Sequence, residues 1–156
     1  MNQANKAKFV RDVQRPQFCI ITPTAYLDKF ATRSGTHLTL AHLVDSDPEY
    51  TKFYKLQSTL GDRIIMDCSA FELGQSYAPE KLVELATRCG ANALVLPDYP
   101  GQPAQKTIDA AIELIPQVKA AGFATFFVPQ SERGDLEDWI YAYNWAANNP
   151  DIDIIS

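Results

Sequence analysis

Short, almost continuously apolar runs alternate with amphipathic stretches along most of this chain. Apolar runs without interleaved polar residues are typical of parallel strands that are buried on both faces. The pattern predicts six strands, at 18–21, 37–44, 63–67, 93–96, 123–128 and 152–155. Apolar positions with a helical period predict helices between them, at 24–33, 48–60, 79–88, 104–121 and 135–148.

Proline and aspartate residues mark several of these boundaries. Pro48 and Pro79 stand in the first turn of a predicted helix, where a proline is tolerated. Pro116 stands inside the predicted 104–121 helix, so we expect a kink or a split there. Asp135 is predicted to cap the last helix. The apolar face of that helix is formed by Leu136, Trp139, Ile140 and Tyr143.

The alternation of strands and helices predicts an α/β protein built from parallel βα units. Such units repeat every ~30 residues and cross over with a right hand. Two architectures are compatible with them, a doubly wound open sheet and a (β/α)₈ barrel. A barrel needs about 200–250 residues, whereas this chain has 156. We expect an incomplete (β/α)₈ TIM barrel of about six strands over residues 18–156, with the doubly wound sheet as the alternative.

Composition and charge narrow the function classes. No apolar run reaches the ~18 residues of a membrane helix, so we expect no membrane association. A net charge of −5 argues against a surface that coats nucleic acid. Residues 1–17 form a basic segment, which is either a solvated end or a phosphate-binding arm. Three cysteines without a CxxC pair, and the lack of an export signal, predict a cytoplasmic protein.

Polar side chains follow three neighbouring predicted strands. Asp67 ends the third strand, Asp98 follows the fourth and Gln130 follows the fifth. In parallel α/β proteins the carboxyl ends of the strands form the ligand site. Carboxylates accept hydrogen bonds from ring N–H and amino groups, and a glutamine amide both donates and accepts them. This cluster therefore suits a planar heterocycle.

Four further residues are candidates for binding the same ligand. Phe71 and Tyr99 have rings that stack on a heterocycle. Glu72 and His42 stand near the same strand ends. The alternatives are helix capping for the aspartates, a solvated position for Glu72 and a core or rim position for His42. The sequence has no phosphate-binding glycine loop and no zinc-ligand spacing, so we expect neither a cofactor nor a metal.

One segment resembles a known family signature. Met66-Asp67-Cys68-Ser69-Ala70-Phe71-Glu72 is similar to the Asp-Ser-Gly-Gly-Phe-Gln motif of the tRNA-guanine transglycosylases, (β/α)₈ enzymes that exchange guanine for a 7-deazaguanine base. Three shorter segments resemble further family positions in the same order: Ala41-His42-Leu43 (Tyr-His-Leu), Leu96-Pro97-Asp98 (the base-reading aspartate) and Val128-Pro129-Gln130 (Val-Gln-Gly). Ser69, Ala70 and Glu72 depart from the motif of the tRNA enzymes. With these departures the segment more closely resembles the phage-type relatives that place deazaguanines in DNA.

The resemblance implies a role for each matched residue. Asp67 would be the general base or a base-orienting group, Asp98 and Gln130 would read the base, and Phe71 would stack on it. The partner would be guanine or a 7-deazaguanine, in tRNA or DNA, with the nucleotide extruded from its stack. The family's nucleophilic aspartate and zinc ligands would lie beyond this chain, which we therefore expect to be inactive alone.

Two other functions remain open at this point. One is a non-catalytic module that binds a purine or a protein, and the other is an unrelated α/β enzyme of small metabolites. In either case an incomplete barrel exposes sheet edges, and exposed edges pair with other chains. We therefore expect self-association, as a symmetric dimer.

Overall fold

The computed structural model describes residues 18–156, which form a five-stranded, wholly parallel sheet with intervening helices. The predicted basic segment 1–17 lies outside the described residues. The strands are β1 (Thr36–Leu40), β2 (Arg63–Asp67), β3 (Ala93–Val95), β4 (Ala124–Phe127) and β5 (Ile154–Ile155). The helices are α1 (Leu27–Phe30, between 3₁₀ turns at Thr24–Tyr26 and Ala31–Arg33), α2 (Ala41–Ser46), α3 (Pro48–Leu60), α4 (Ala70–Leu73), α5 (Pro79–Cys89), α6 (Ala104–Ala120) and α7 (Leu136–Ala147).

The strands lie in the sheet in the order in which they occur in the chain, β1-β2-β3-β4-β5. Every neighbouring pair is parallel, so the α/β prediction with parallel βα units is confirmed. A doubly wound sheet requires a reversal of strand order, and the described strands contain none. A sequential order is that of a barrel wall, so the topology favours the barrel over the doubly wound alternative.

The two faces of the sheet bury very different amounts of apolar side chain. Successive strand residues point to opposite faces, and Ile64 and Met66 of β2 point towards the helices while Ile65 points away. The helix side contains the main core, with Tyr50, Tyr54, Leu85, Leu94 and Phe127 among its buried members. The other side holds a small cluster of Ile65, Ala93, Val95 and Ala124. Nearly all packing energy of the described residues therefore lies on the helix side.

Local sequence signals account for the ends of two helices. Asp47 caps α3, because its carboxylate accepts the backbone N–H groups of Glu49 and Tyr50 at 3.0 and 3.1 Å. Gly90 follows α5 with a φ of 75°. A Cβ there would lie 2.6 Å from the Ser58 hydroxyl oxygen. Both the backbone conformation and the close approach therefore require glycine at this position.

The amino ends of the strands carry polar groups that are matched in pairs. Buried His37 of β1 lies with Nε2 2.9 Å from Oδ2 of Asp62. Oδ1 of Asn92 accepts the backbone N–H of Ile64 at 2.8 Å. Asp153 accepts both the backbone N–H and the hydroxyl of Thr125, at 2.9 and 3.0 Å. These bonds join neighbouring strands at this edge of the sheet.

The prediction of a first strand at Phe18–Ile21 is wrong. The segment takes no strand pairing, and its Phe18, Ile20 and Ile21 side chains are exposed. Only Cys19 packs against the sheet, in the small cluster on the side away from the helices. An apolar run needs a hydrogen-bonded neighbour to become a strand, and this one has none among residues 18–156. The described sheet therefore has five strands instead of six.

Other predicted elements also differ from the structure. The strand predicted at 37–44 ends at Leu40, because residues 41–46 turn into α2 and bury Ala41 and Val44. The predicted loop after β2 contains the single-turn helix α4. Pro116 does not split α6, whose flanking Ile115 and Val118 are anchored in the core.

The last helix turns a different face to the core from the one its apolar period indicates. Ala142 and Ala146 are buried, whereas Leu136, Trp139, Ile140 and Tyr143 are between 36% and 67% exposed. Small residues allow α7 to approach the sheet closely, with Trp145 beside the Phe127 ring at 5.1 Å. Within residues 18–156, no helix has both the length and the apolar character needed to cross a bilayer.

Candidate functional site

The carboxyl ends of β2, β3 and β4 bring three of the predicted site residues to one edge of the sheet. Asp67 is the last residue of β2, while Asp98 and Gln130 each lie in the loop after their strand. Gln130 donates from Nε2 to Oδ2 of Asp98 at 2.7 Å. The Cys68 thiol lies 3.6 Å from Oδ1 of Asp98 and donates to it. Both oxygens of Asp98 are thus held by groups from the two adjacent strands.

Asp67 is a strongly perturbed carboxyl group. Its pKa is raised from 3.8 to about 6, and burial is the largest cause. The backbone N–H of Ser69 donates to its Oδ2 at 2.8 Å and opposes this rise. The negative charges of Asp98 and Glu72 raise the pKa further, and His42 lowers it. A carboxyl group with a pKa of about 6 exchanges a proton readily near neutral pH, as a general acid or base must.

Asp98 is perturbed in the same direction. Burial raises its pKa, the hydrogen bonds from Gln130 and Cys68 lower it, and the charge of Glu72 raises it. Neither Asp67 nor Asp98 forms an ion pair with a lysine or arginine in the described part of the chain. Two half-buried acids without a cation are costly to the fold, and such an arrangement is typical of a site that awaits a hydrogen-bond donor.

The remaining predicted site residues lie less centrally. Phe71, on the single turn α4, is 76% exposed, and Glu72 beside it is also exposed. The ring of Tyr99 is covered on one side by the Lys106 ammonium, whose Nζ lies 4.3 Å from the ring centroid. His42 contacts Ser69 instead of either carboxylate, with Nδ1 3.0 Å from the serine Oγ. Asp67, Asp98 and Gln130 thus form the centre of the site, and the others form its surroundings.

Sequence reasoning missed two contributors. Cys68 is buried, and burial raises the pKa of its thiol, so it is a hydrogen-bond donor to Asp98 and not a nucleophile. Ser69 adopts a φ of 58°, in the left-handed region. The glycine pair of the transglycosylase motif, which Ser69-Ala70 replaces, is the signal that could have indicated this conformation. The hydrogen bond from the Cys68 thiol to Asp98 has no comparable signal in the sequence.

No family model matches this chain, and no curated protein matches it. The geometry of the site and the resemblance of its motifs are therefore what a functional proposal must be built on.

Proposed function

We propose that this chain is a transglycosylase-like domain that binds guanine or a 7-deazaguanine base, for base exchange in tRNA or DNA. The observation that carries the proposal is the cluster of Asp98, Gln130 and Asp67 at three adjacent strand ends. Guanine presents a ring N–H and an amino group side by side, and a carboxylate accepts both. We propose on the sequence alone that this occurs in the cytoplasm.

The hydrogen bonds already present suggest how the base would be oriented. Because Gln130 Nε2 donates to Asp98, the amide is fixed and its Oε1 has no bond to another described residue. The site then offers acceptors from Asp98 and Gln130, which suit the donor edge of a guanine. Asp67 would take or give a proton at the base, for which its raised pKa suits it.

Calorimetric titration with guanine and 7-deazaguanine tests this proposal, with adenine as the negative ligand. Asp98→Asn removes a charged acceptor from a partly buried hydrogen bond, which costs about 2–4 kcal/mol, or roughly a 30- to 1,000-fold loss of affinity. The matched control is Asp109→Asn, which alters an exposed aspartate on α6 that accepts from Gln105. Equal affinity for adenine, or a wild-type affinity in the Asp98 variant, would contradict base recognition at this site.

A proposal of self-association accompanies the binding function. Strand β5 lies at one end of the strand order, and α7 beside it carries the exposed Trp139 and Tyr143 rings, stacked 5.6 Å apart. An apolar helix stripe next to a sheet edge is a surface that a second copy can cover about a two-fold axis. Light scattering at micromolar concentration should give a dimer that Trp139→Glu dissociates. Leu60→Glu, at an exposed apolar position on α3, should leave the dimer intact. A monomeric wild type would refute the proposal.

A further inference from the structure

Ser69 holds a backbone conformation that serine rarely adopts. It is the sole non-glycine residue with a positive φ within residues 18–156, at 58°, and it lies between β2 and α4. The left-handed region costs a residue with a Cβ about 1–2 kcal/mol. The Ser69 side chain is fully buried. Neighbouring contacts must therefore hold it in place.

The hydrogen bonds of the Ser69 hydroxyl come from a single residue on the adjacent βα unit. The backbone N–H of His42, in the first turn of α2, donates to Ser69 Oγ at 3.3 Å. The imidazole Nδ1 of the same residue lies 3.0 Å from that oxygen. A hydroxyl has one hydrogen and two lone pairs. It can accept from the backbone N–H of His42 and donate to Nδ1 when that nitrogen carries no hydrogen, so both of its roles are filled by His42.

The strained residue in turn holds the carboxylate of Asp67. The backbone N–H of Ser69 donates to Asp67 Oδ2 at 2.8 Å. The φ of Ser69 sets the angle between this N–H and the serine side chain, so a side chain held in place by His42 also holds the peptide that carries the N–H. The contacts form a chain from the His42 ring, through the Ser69 hydroxyl and backbone, to the Asp67 carboxylate.

We propose that His42 is a positioning residue, which fixes the Asp67 carboxylate through Ser69. The role of His42 in base binding rests on the proposed function. Its effect on the position of the Asp67 carboxylate does not. This assignment differs from the direct contact with substrate that the sequence predicts for His42. The other charged groups that act on Asp67 are Asp98 and Glu72, both negative, and neither belongs to this chain of contacts.

The experiment follows the carboxyl carbon of Asp67 by ¹³C NMR as a function of pH in the full chain, with Asp67→Asn for assignment. His42→Leu removes the ring acceptor, and His42→Asn restores an acceptor near the Nδ1 position. Ser69→Gly adopts the same φ without strain and keeps the N–H, but it lacks the hydroxyl tether.

The wild-type carboxyl should titrate near pH 6. In the His42→Leu and Ser69→Gly variants the midpoint should rise by about half a unit or more, because the N–H bond that favours the carboxylate is no longer held. His42→Asn should return most of the shift. Guanine affinity should follow the same order, with about a tenfold loss in the first two variants.

Three outcomes would overturn the proposal. One is a wild-type midpoint in Ser69→Gly, because the tether would then be unnecessary. The second is an equal shift in His42→Leu and His42→Asn, which would assign the effect to the lost imidazole alone. The third is an unchanged midpoint in His42→Leu. If the wild type binds no base, the proposed function fails, while the titrations still test the positioning. Ser69→Gly relieves backbone strain, so it keeps the test open if His42→Leu fails to fold.

Discussion

The two ends of the sheet carry polar clusters of opposite character. At the amino ends, His37 meets Asp62 and Asn92 meets a backbone N–H, so each buried polar group has a complementary partner. At the carboxyl ends, Asp67 and Asp98 lie near each other and near Glu72. The charge of Glu72 raises the pKa of both aspartates, and that of Asp98 raises the pKa of Asp67. The first arrangement stabilises the fold, whereas the second costs stability and keeps reactive groups available. The difference indicates which end is built for binding.

The largest expected effect is a gain in stability at the carboxyl end. The pKa of Asp67 rises from 3.8 to about 6 on folding, so the native state holds its proton more tightly than the unfolded state does. This favours the fold below pH 4 and is lost as the pH rises through 6. Two pKa units correspond to about 3 kcal/mol. Asp67→Asn should therefore raise the free energy of unfolding by about 2–3 kcal/mol at pH 7.5.

Urea unfolding of the wild type and Asp67→Asn at pH 7.5 and pH 4 measures this effect. The stability difference should shrink to a small fraction at the lower pH, because the folded carboxyl is then protonated and the unfolded one, with its pKa of 3.8, is nearly half protonated. A variant that is less stable than the wild type at pH 7.5 would show that Asp67 supports the fold, and the contrast between the two ends would fail.

Removing a carboxylate at the amino end should instead lower the free energy of unfolding. Asp62→Ala leaves Nε2 of His37 buried without its partner, which costs about 1–3 kcal/mol. Urea unfolding at pH 7.5 checks this loss. Glu113→Ala, on the exposed side of α6, is the matched control and should change stability by less than about 0.5 kcal/mol. A neutral Asp62 variant would mean that this pair is dispensable.

The smallest effect concerns the thiol at the carboxyl end. Cys68→Ala removes the weak donor to Asp98 Oδ1, and that bond lowers the pKa of Asp98. The pKa of Asp98 should therefore rise slightly, with little change in stability beyond the lost sulfur contact. NMR titration of the Asp98 carboxyl measures it. Cys89→Ala, a second buried thiol in the core of α5, should leave that titration unchanged.

The elements with two independent sequence signals were predicted well. The strand at 63–67 has an apolar run bounded by charged residues, and the helix at 48–60 has both its apolar period and a proline start; both match the structure. The segments at 18–21 and 41–44 had only an apolar run, which is shared by strands and buried helices. Their outcome depended on neighbours in space, and both predictions were wrong there.

Part of the candidate site could likewise be predicted from the sequence, and part could not. The rule that ligands bind at the carboxyl ends of strands directs attention to Asp67, Asp98 and Gln130 from sequence alone. Which of them touch is a matter of side-chain geometry, as in the bond from Gln130 to Asp98. The contact of Lys106 with the Tyr99 ring and the contact of His42 with Ser69 each join two different elements, so no local sequence pattern predicts them.

The sequential strand order also has a consequence for how this chain is made. From β1 to β5, each strand begins about 30 residues after the neighbour with which it pairs. A ribosome synthesises about 5–20 residues per second, so the partner of each new strand is already complete roughly 2–6 seconds earlier. Each βα unit can therefore dock on its predecessor during translation. Growth of the sheet from β1 towards β5 needs no later segment to be threaded between strands that are already paired.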